Sequence, residues 1–486
     1  MTSPIHERAE TAGRLVKNSI WLFGAEGFAK LIAMATQILA ARYLGQDGFG
    51  IFSFAFAITG AFIVFIDTGI GVFVTREISR RPERTSDILR NVFFMKWRLS
   101  LATLLIMAGT LWAASLETEP LAVAAAIGLA LMIYGYTDIY LAVFRAQEQM
   151  ALVSVLTVIW RILFLVFGLG VLVSGYGVVA FSNAFLAVSV IGLWIARRQA
   201  HKRFPVRSTR WDPRVVREIF AGCLPICGVL LFTYIYFRID AVLLFFLRGE
   251  AETGWYAAAF KLIEVLALLM ASIRSALFPV LSRSQEQGNG DHGRMWKESA
   301  RYLFLIGIPL ATGMGFLAGR VVDLLYGPAY AAAGPVLRVL ALTFPLLCAN
   351  DLASYLLVSG NRTARVLKTV SAGAVFNLVF NFLVIPRWGL MGAAVAAALT
   401  QGFVFLVYWR LIRAYCGDAG IPGLLWRPSL AAGGMGLFLW SFPGLPLVLL
   451  VLPAVLIYFL LLAALQTFNE FDFLVLRGIF KRRADS

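Results

Sequence analysis

The chain has 486 residues, of which 60% are hydrophobic and 14% are charged, and its mean hydropathy is +0.80. Soluble domains carry about 25% charged residues, so this composition excludes a soluble globular protein and predicts a polytopic membrane protein. The formal net charge of +16 does not indicate nucleic-acid binding, because the Lys and Arg residues lie beside apolar segments instead of on one soluble face.

Fourteen apolar runs, each long enough to cross a bilayer, follow a polar N-terminal segment. Their bounds are 18–43, 48–74, 91–114, 120–144, 151–173, 177–196, 216–246, 253–281, 301–319, 331–358, 365–385, 389–412, 424–442 and 446–466. The polar connections between them are short. The sequence therefore predicts an all-α fold with about fourteen transmembrane helices.

Lys and Arg residues are concentrated in the loops that follow even-numbered runs and in both chain ends, for example at Arg80, Arg81 and Arg84. The loops that follow odd-numbered runs contain few cations, and one of them contains Glu117 and Glu119. By the positive-inside rule, we expect a multi-pass protein of the cytoplasmic (inner) membrane with both termini in the cytoplasm.

Two weak internal matches suggest a duplicated six-helix unit. Segment 50–55 (GIFSFA) matches 254–259 (GWYAAA), and segment 176–180 matches 388–393, with both offsets a little over 200 residues. Such repeats are typical of transporters, whose binding sites lie between the two halves. We therefore predict a cytoplasmic tail over 1–17, an N-lobe of helices 1–6 over 18–197, a cytoplasmic inter-lobe loop over 198–215, a C-lobe of helices 7–12 over 216–413, two appended helices over 424–466 and a cytoplasmic tail over 467–486.

The residues that could support an enzyme are sparse. All three histidines lie in polar segments, at His6, His201 and His292, and there is no phosphate-binding glycine loop. Cys223 and Cys227 have the spacing of a ligand pair but no neighbouring His or Cys, so we expect them to be small buried apolar side chains. The sequence thus predicts no catalytic residue, no cofactor and no metal site.

Charged residues inside the apolar runs are the candidate binding residues, because a charge at membrane depth is costly unless it faces protein or water. Lys30 follows Glu26 by four residues, and Lys261 precedes Glu264 by three. Each pair either neutralises itself or leaves its lysine free to bind an anionic group in a water-filled cavity. Arg161 is the single cation of its run, and it either snorkels towards the surface or lines the same cavity.

Acidic residues inside the runs are candidates for binding a coupling proton or cation. Asp67, Asp240 and Glu264 could each do so, and each could equally be the structural partner of an arginine. Asn377 and Asn381 lie one turn apart, and we expect them to form hydrogen bonds between helices.

Three stretches together resemble polysaccharide-transport (Wzx-type) flippases of lipid-linked oligosaccharides, which are relatives of lipid II flippases and of multidrug MATE exporters. They are 236–283, with RID, GWYAAAFKL and ALFPVLSR; 41–76, with ARYLGQDGFG; and 375–401, with VFNLVFNFLVIPRWGLMGAAVAAALTQ. The sequence GFAK at 27–30 resembles GFAR of lipid II flippases, and AFKLIE at 259–264 resembles their ADRLVE. The resemblance implies that Lys30 and Lys261 bind the substrate.

This resemblance, with the deep charges, predicts a transporter that flips an undecaprenyl-pyrophosphate-linked oligosaccharide by alternating access for polysaccharide biosynthesis. Lys30, Lys261 and Arg161 would bind the phosphates, and Glu26, Asp67, Asp240 and Glu264 are coupling or paired acids. The expected partners are this substrate, membrane lipids, H⁺ or Na⁺, and polysaccharide polymerase machinery, with no nucleic acid. The alternatives are a lipid II flippase, a MATE-like exporter of small molecules, and a non-transporting scaffold of a polysaccharide synthase complex.

Overall fold

The computed structural model of the chain describes residues 4–67, 69–204, 211–286, 292–360, 362–417 and 421–467. Within these residues the chain forms thirteen α-helices and no β-strand. The helices are α1 (Pro4–Asp67), α2 (Ile70–Arg80), α3 (Thr85–Ala113), α4 (Thr118–Ala146), α5 (Met150–Val173), α6 (Val178–Arg203), α7 (Pro213–Arg248), α8 (Glu250–Glu286), α9 (His292–Tyr326), α10 (Ala333–Ser359), α11 (Thr363–Cys416), α12 (Ile421–Ser441) and α13 (Leu447–Ala464).

Two of the helices each contain a break at a glycine. Gly45 interrupts α1 with φ 69° and ψ −178°, and Gly389 interrupts α11 with φ 54° and ψ −135°. Positive φ is costly for residues with a Cβ atom, so glycine at these positions lets the chain turn between two membrane-length segments. When α1 and α11 are counted as two segments each, every predicted apolar run has a helical segment.

Ten segments of the described residues are long and apolar enough to cross a membrane. The α13 helix illustrates their exposed surfaces, since Val448 and Leu452 are 70% and 69% exposed on a helix whose other face packs inward. Large apolar side chains exposed along a whole helix face suit contact with lipid. The prediction of a polytopic all-α membrane protein is confirmed.

The predicted run 48–74 is not one continuous helix. The α1 helix ends at Asp67, Gly69 adopts φ 77°, and α2 begins at Ile70. Side-chain hydroxyls attach α2 to the end of α4: Thr75 Oγ1 donates to the Ala142 carbonyl at 3.3 Å, and Ser79 Oγ donates to the Ala146 carbonyl at 3.1 Å. The apolar pattern continues through the break because α2 also buries one apolar face.

The chain divides into two compact units. The first comprises Met1–Ala258 and Val370–Ala393, and in it α1 packs against α4, α5 and α7 while α4 packs against α6. The second comprises Ala259–Thr369 and Ala394–Ser486, and in it α9 packs against α10 and α12 while α12 packs against α13. The division into an N-lobe over 18–197 and a C-lobe over 216–413 remains a prediction.

Candidate functional site

Lys30 lies in the first segment of α1 with an exposed side chain, and Glu26, one turn earlier, is exposed as well. Among the described residues, neither side chain has a hydrogen bond or an ion pair. The self-neutralised pair that their spacing allows is therefore not formed. The Lys30 ammonium is left available to an anionic ligand.

Arg161 lies in the middle of α5 and is partly buried. Its guanidinium carbon lies 4.7 Å from the centroid of the Trp160 ring, and Trp160 in turn contacts the Tyr134 ring at a centroid distance of 4.8 Å. No carboxylate within the described parts of the chain forms an ion pair with Arg161. Its positive charge is thus supported by an aromatic face, which leaves the guanidinium N–H groups free of any acidic partner.

Lys261 and Glu264 form the ion pair that their spacing on α8 predicts. The Lys261 Nζ atom lies 2.7 Å from Glu264 Oε2, and the two side chains are 20% and 30% exposed. An anionic ligand would have to compete with this carboxylate for Lys261. The two lysines implied by the family resemblance therefore differ in their electrostatic surroundings.

Asp240 lies on α7, is 2% exposed and belongs to a buried polar cluster. It accepts hydrogen bonds from the Tyr256 hydroxyl and from Asn381 Nδ2, both at 2.6 Å, and Asn381 Nδ2 also donates to Asn377 Oδ1 at 2.9 Å. The bond from Asn381 on α11 to Asp240 on α7 confirms the predicted role of this asparagine between helices. No Lys or Arg of the described residues forms an ion pair with Asp240, so only neutral donors hold this buried acid.

Asp67 at the end of α1 pairs with Lys96, a residue that the sequence patterns did not single out. Lys96 Nζ lies 3.2 Å from Asp67 Oδ1 and 2.8 Å from the Gly135 carbonyl oxygen, and its side chain is fully buried whereas that of Asp67 is 44% exposed. A lysine within the apolar run 91–114 could have signalled this pair, because a buried ammonium needs an anionic partner at a similar depth. Asp67 is therefore neutralised by a fixed cation.

The segments that follow Gly45 and Gly249 cross at very close range. A Cβ atom on Gly50 would collide with the Glu250 carbonyl oxygen, and a Cβ atom on Gly254 would collide with the Gln46 carbonyl oxygen. The same sequence offset separates Gly50 from Gly254 and Gln46 from Glu250, so the contact has the reciprocity that a duplicated unit would produce. Only glycine permits this approach of the two backbones.

Glu252 joins three helix ends beside this crossing. Its Oε2 atom accepts a hydrogen bond from the backbone N–H of Leu390 at 2.7 Å, and its Oε1 atom accepts from Arg248 Nε at 2.9 Å. Leu390 follows the break at Gly389, so the carboxylate satisfies an N–H group at the start of the second segment of α11. This arrangement fixes the end of α7 and the start of α8 relative to the break in α11.

The chemistry available in the described residues suits binding and translocation. They contain no group of three or more His, Cys, Asp or Glu that could hold a metal ion, and Cys223, Cys227 and Cys348 are buried thiols outside any disulfide bond. What the apolar helices do contain is a set of cations with different partners and one buried acid held by neutral groups. Long apolar helices with such charges define a polytopic membrane transporter.

The family of this transporter follows from its sequence. The family model described as Polysaccharide biosynthesis protein matches residues 15–285, and the model described as Lipid II flippase MurJ matches residues 207–476. Since the first match alone covers more than half of the chain, the protein belongs to the polysaccharide biosynthesis protein family. It is a transporter, not an enzyme.

Individual proteins are similar at low identity. A protein assigned as an O-antigen transporter in Escherichia coli (strain K12) is 23% identical over 82% of this chain and 97% of its own length. The "Probable low-salt glycan biosynthesis flippase Agl15" of Haloferax volcanii is 22% identical over 79% of this chain and 81% of that protein. An uncharacterized membrane protein of Methanocaldococcus jannaschii is 24% identical, but the match spans only 45% of that protein.

The fold has a solved counterpart. A multidrug resistance MATE family transporter of the MOP superfamily, in an inward-facing conformation, superposes with a TM-score of 0.66. The alignment covers 82% of this chain and 95% of that structure at 16% identity. This likeness establishes the fold and carries no information about the substrate.

Proposed function

We propose that this protein translocates a lipid-linked oligosaccharide, carried on undecaprenyl pyrophosphate, across the cytoplasmic membrane by alternating access. Sugars and phosphate charges cannot cross hydrocarbon unaided, so the protein must offer them a polar path while the lipid tail stays in the bilayer. The proposal is supported by family membership and by the relatives named as an O-antigen transporter and a glycan biosynthesis flippase. Both chain ends would lie in the cytoplasm, and polysaccharide polymerase machinery would receive the product.

Lys30, Lys261 and Arg161 would bind the phosphates. The observation that carries this part is the exposed Lys30 ammonium, which lies on an apolar helix and has no counter-ion among the described residues. A phosphate supplies the missing negative charge. Glu264 would release Lys261 as the headgroup binds, and Arg161 would contribute a guanidinium already supported by Trp160.

Asp240 is the acid that we expect to couple transport to a gradient of H⁺ or Na⁺. Asp67 and Glu264 are paired with lysines, and Glu26 is exposed. Within the described residues, Asp240 is buried without a cationic partner, and the neighbouring Asn381 Oδ1 is a buried oxygen that accepts no hydrogen bond. Because an isolated buried carboxylate is costly, this cluster favours binding of a proton or a small cation.

Lipid II is the second candidate substrate, because the Lipid II flippase MurJ model matches residues 207–476. Lipid II also carries a pyrophosphate, so the cationic residues would serve both substrates. The two candidate substrates predict that the gene rescues different flippase-deletion strains. Rescue of a lipid II flippase deletion without rescue of surface polysaccharide export would assign lipid II.

Complementation of a strain that lacks its oligosaccharide flippase tests the proposal. Lys30→Ala and Lys261→Ala should each abolish surface polysaccharide while membrane abundance stays at the wild-type level, and Lys→Arg should retain part of the export because the charge survives. The matched control replaces Lys261 and Glu264 together by Gln, which removes both charges of the ion pair and leaves neither charge unpaired. Full export from a variant that lacks both Lys30 and Lys261 would contradict phosphate binding by these residues.

A further inference from the structure

Arg98 on α3 lies in an aromatic setting outside the candidate site. Its guanidinium carbon is 4.3 Å from the centroid of the Phe94 ring and 5.2 Å from that of the Trp211 ring, and the two rings contact each other at 5.4 Å with an interplanar angle of 50°. The guanidinium thus lies over the two tilted rings. The side chain of Arg98 is nevertheless exposed.

The N–H edge of this guanidinium has no acceptor in the described parts of the chain. Among the described residues, Arg98 makes no hydrogen bond and no ion pair, although a guanidinium presents several donors in one plane. Two exposed tryptophans lie beside it, Trp97 at 59% and Trp211 at 40% exposure. Tryptophan is enriched where hydrocarbon meets the headgroup region of a membrane, so the two tryptophans favour a position of Arg98 near the lipid phosphates.

The same cluster holds the start of α7. Trp211 immediately precedes Asp212, whose backbone N–H donates to Asn91 Oδ1 on α3 at 2.9 Å, and Asn91 is 1% exposed. The Asp212 side chain in turn accepts from the N–H of Arg214 and caps α7. Contacts to α3 on both sides of this junction therefore fix the point at which the predicted inter-lobe loop enters α7.

We propose that Arg98 binds the phosphodiester of an anionic membrane phospholipid, with Phe94 and Trp211 orienting the guanidinium. Two N–H groups in one plane match two phosphate oxygens, which is the bidentate geometry that arginine provides and lysine does not. An anionic headgroup is preferred over a zwitterionic one because no acid of the described residues forms an ion pair with Arg98. The bound lipid would stabilise the stack of Trp211 on Arg98 and hence the anchoring of α7 to α3.

Native mass spectrometry of the full-length protein, titrated with phosphatidylglycerol or phosphatidylcholine, tests this site. Wild-type protein should bind the first phosphatidylglycerol about tenfold more tightly than Arg98→Gln, in line with the loss of charge-assisted hydrogen bonds. Arg90→Gln is the matched control, because Arg90 is an exposed arginine of the same helix that contacts no aromatic ring of the described residues. Its affinity should stay within about twofold of the wild type.

Arg98→Lys keeps the charge and guards against a general folding defect, and its affinity should fall between those of the wild type and Arg98→Gln. The site is refuted if Arg98→Gln binds phosphatidylglycerol no more weakly than Arg90→Gln. A parallel titration with undecaprenyl pyrophosphate separates the two lipid sources. If Arg98→Gln weakens only this second ligand, the residue serves the transported lipid and the phospholipid assignment is wrong.

Discussion

Replacing Asp240 by Asn should remove the gradient dependence of transport at a modest cost in stability. An amide has the shape of the carboxyl group but cannot take up a proton or supply a negative charge. Asp240 accepts hydrogen bonds from Tyr256 and from Asn381. An amide offers one carbonyl oxygen, so one of the two donors loses its acceptor, which costs about 1 to 3 kcal/mol for a buried group.

Tyr256→Phe is the matched control for this prediction. It deletes the hydrogen bond from the Tyr256 hydroxyl to Asp240 but leaves the carboxyl group in place. It should lower the free energy of unfolding by about as much as Asp240→Asn does. Transport by Tyr256→Phe should therefore still respond to a gradient of H⁺ or Na⁺. The comparison separates the chemistry of the acid from the stability of its cluster.

The assay is uptake or flipping in proteoliposomes with and without an imposed ion gradient, accompanied by thermal unfolding of each variant in detergent. Asp240→Asn should flip at a rate that is the same with and without the gradient, whereas Tyr256→Phe should resemble the wild type. A gradient response that survives in Asp240→Asn, or one that is lost equally in both variants, would refute Asp240 as the coupling acid.

Three further predictions concern stability and topology. Gly254→Ala should destabilise the protein by about 1 to 3 kcal/mol in thermal unfolding, because the added Cβ atom would collide with the Gln46 backbone. Gly170→Ala is the control and should not destabilise the protein, because its added atom meets nothing within 4 Å. Equal effects of the two substitutions would contradict the close crossing. Asp67→Ala should destabilise the protein more than Lys96→Met does in the same unfolding measurement. Asp67→Ala leaves a fully buried ammonium without a counter-ion, whereas Lys96→Met leaves a half-exposed carboxylate that water can solvate. The reverse order would contradict this description of the ion pair. Topology reporters fused after Arg84, Arg207, Arg294 and Arg483 should indicate the cytoplasm, because these points lie in loops that follow even-numbered runs or at the C-terminus. A reporter fused at Glu117 should indicate the opposite side of the membrane. A cytoplasmic signal at Glu117 would rule out the predicted orientation.

Much of the fold could be predicted because the bilayer imposes a simple rule on length and polarity. Each apolar run has a helical segment, and Gly45 lies in the gap predicted between runs 18–43 and 48–74. Gly389 is the first residue of the predicted run 389–412 and lies next to the gap before it. The break at Gly69 interrupts the predicted run 48–74, which extends across it because α2 continues the apolar pattern on its buried face. Hydropathy averages over a window and does not register a single residue with positive φ.

The partners of the deep charges were less predictable. The spacing of Glu26 and Lys30, and that of Lys261 and Glu264, each allow an ion pair within one helix. Only Lys261 and Glu264 form it. Asp67 forms an ion pair with Lys96 on α3, and Asp240 accepts hydrogen bonds from neutral donors on α8 and α11. Contacts between residues far apart in the chain depend on helix packing, which a single sequence does not specify.

We propose above all that cationic side chains carry the phosphates of a lipid-linked oligosaccharide across the membrane. Liposomes that contain the purified protein and a fluorescent undecaprenyl-pyrophosphate oligosaccharide allow the fraction of label reached by a membrane-impermeant quencher to be followed in time. With wild-type protein, quenching should progress from the outer-leaflet half towards completion, and with Lys30→Ala combined with Lys261→Ala it should stop at that half, as in protein-free liposomes. Complete quenching with the double variant, or none beyond the outer leaflet with the wild type, would contradict the account.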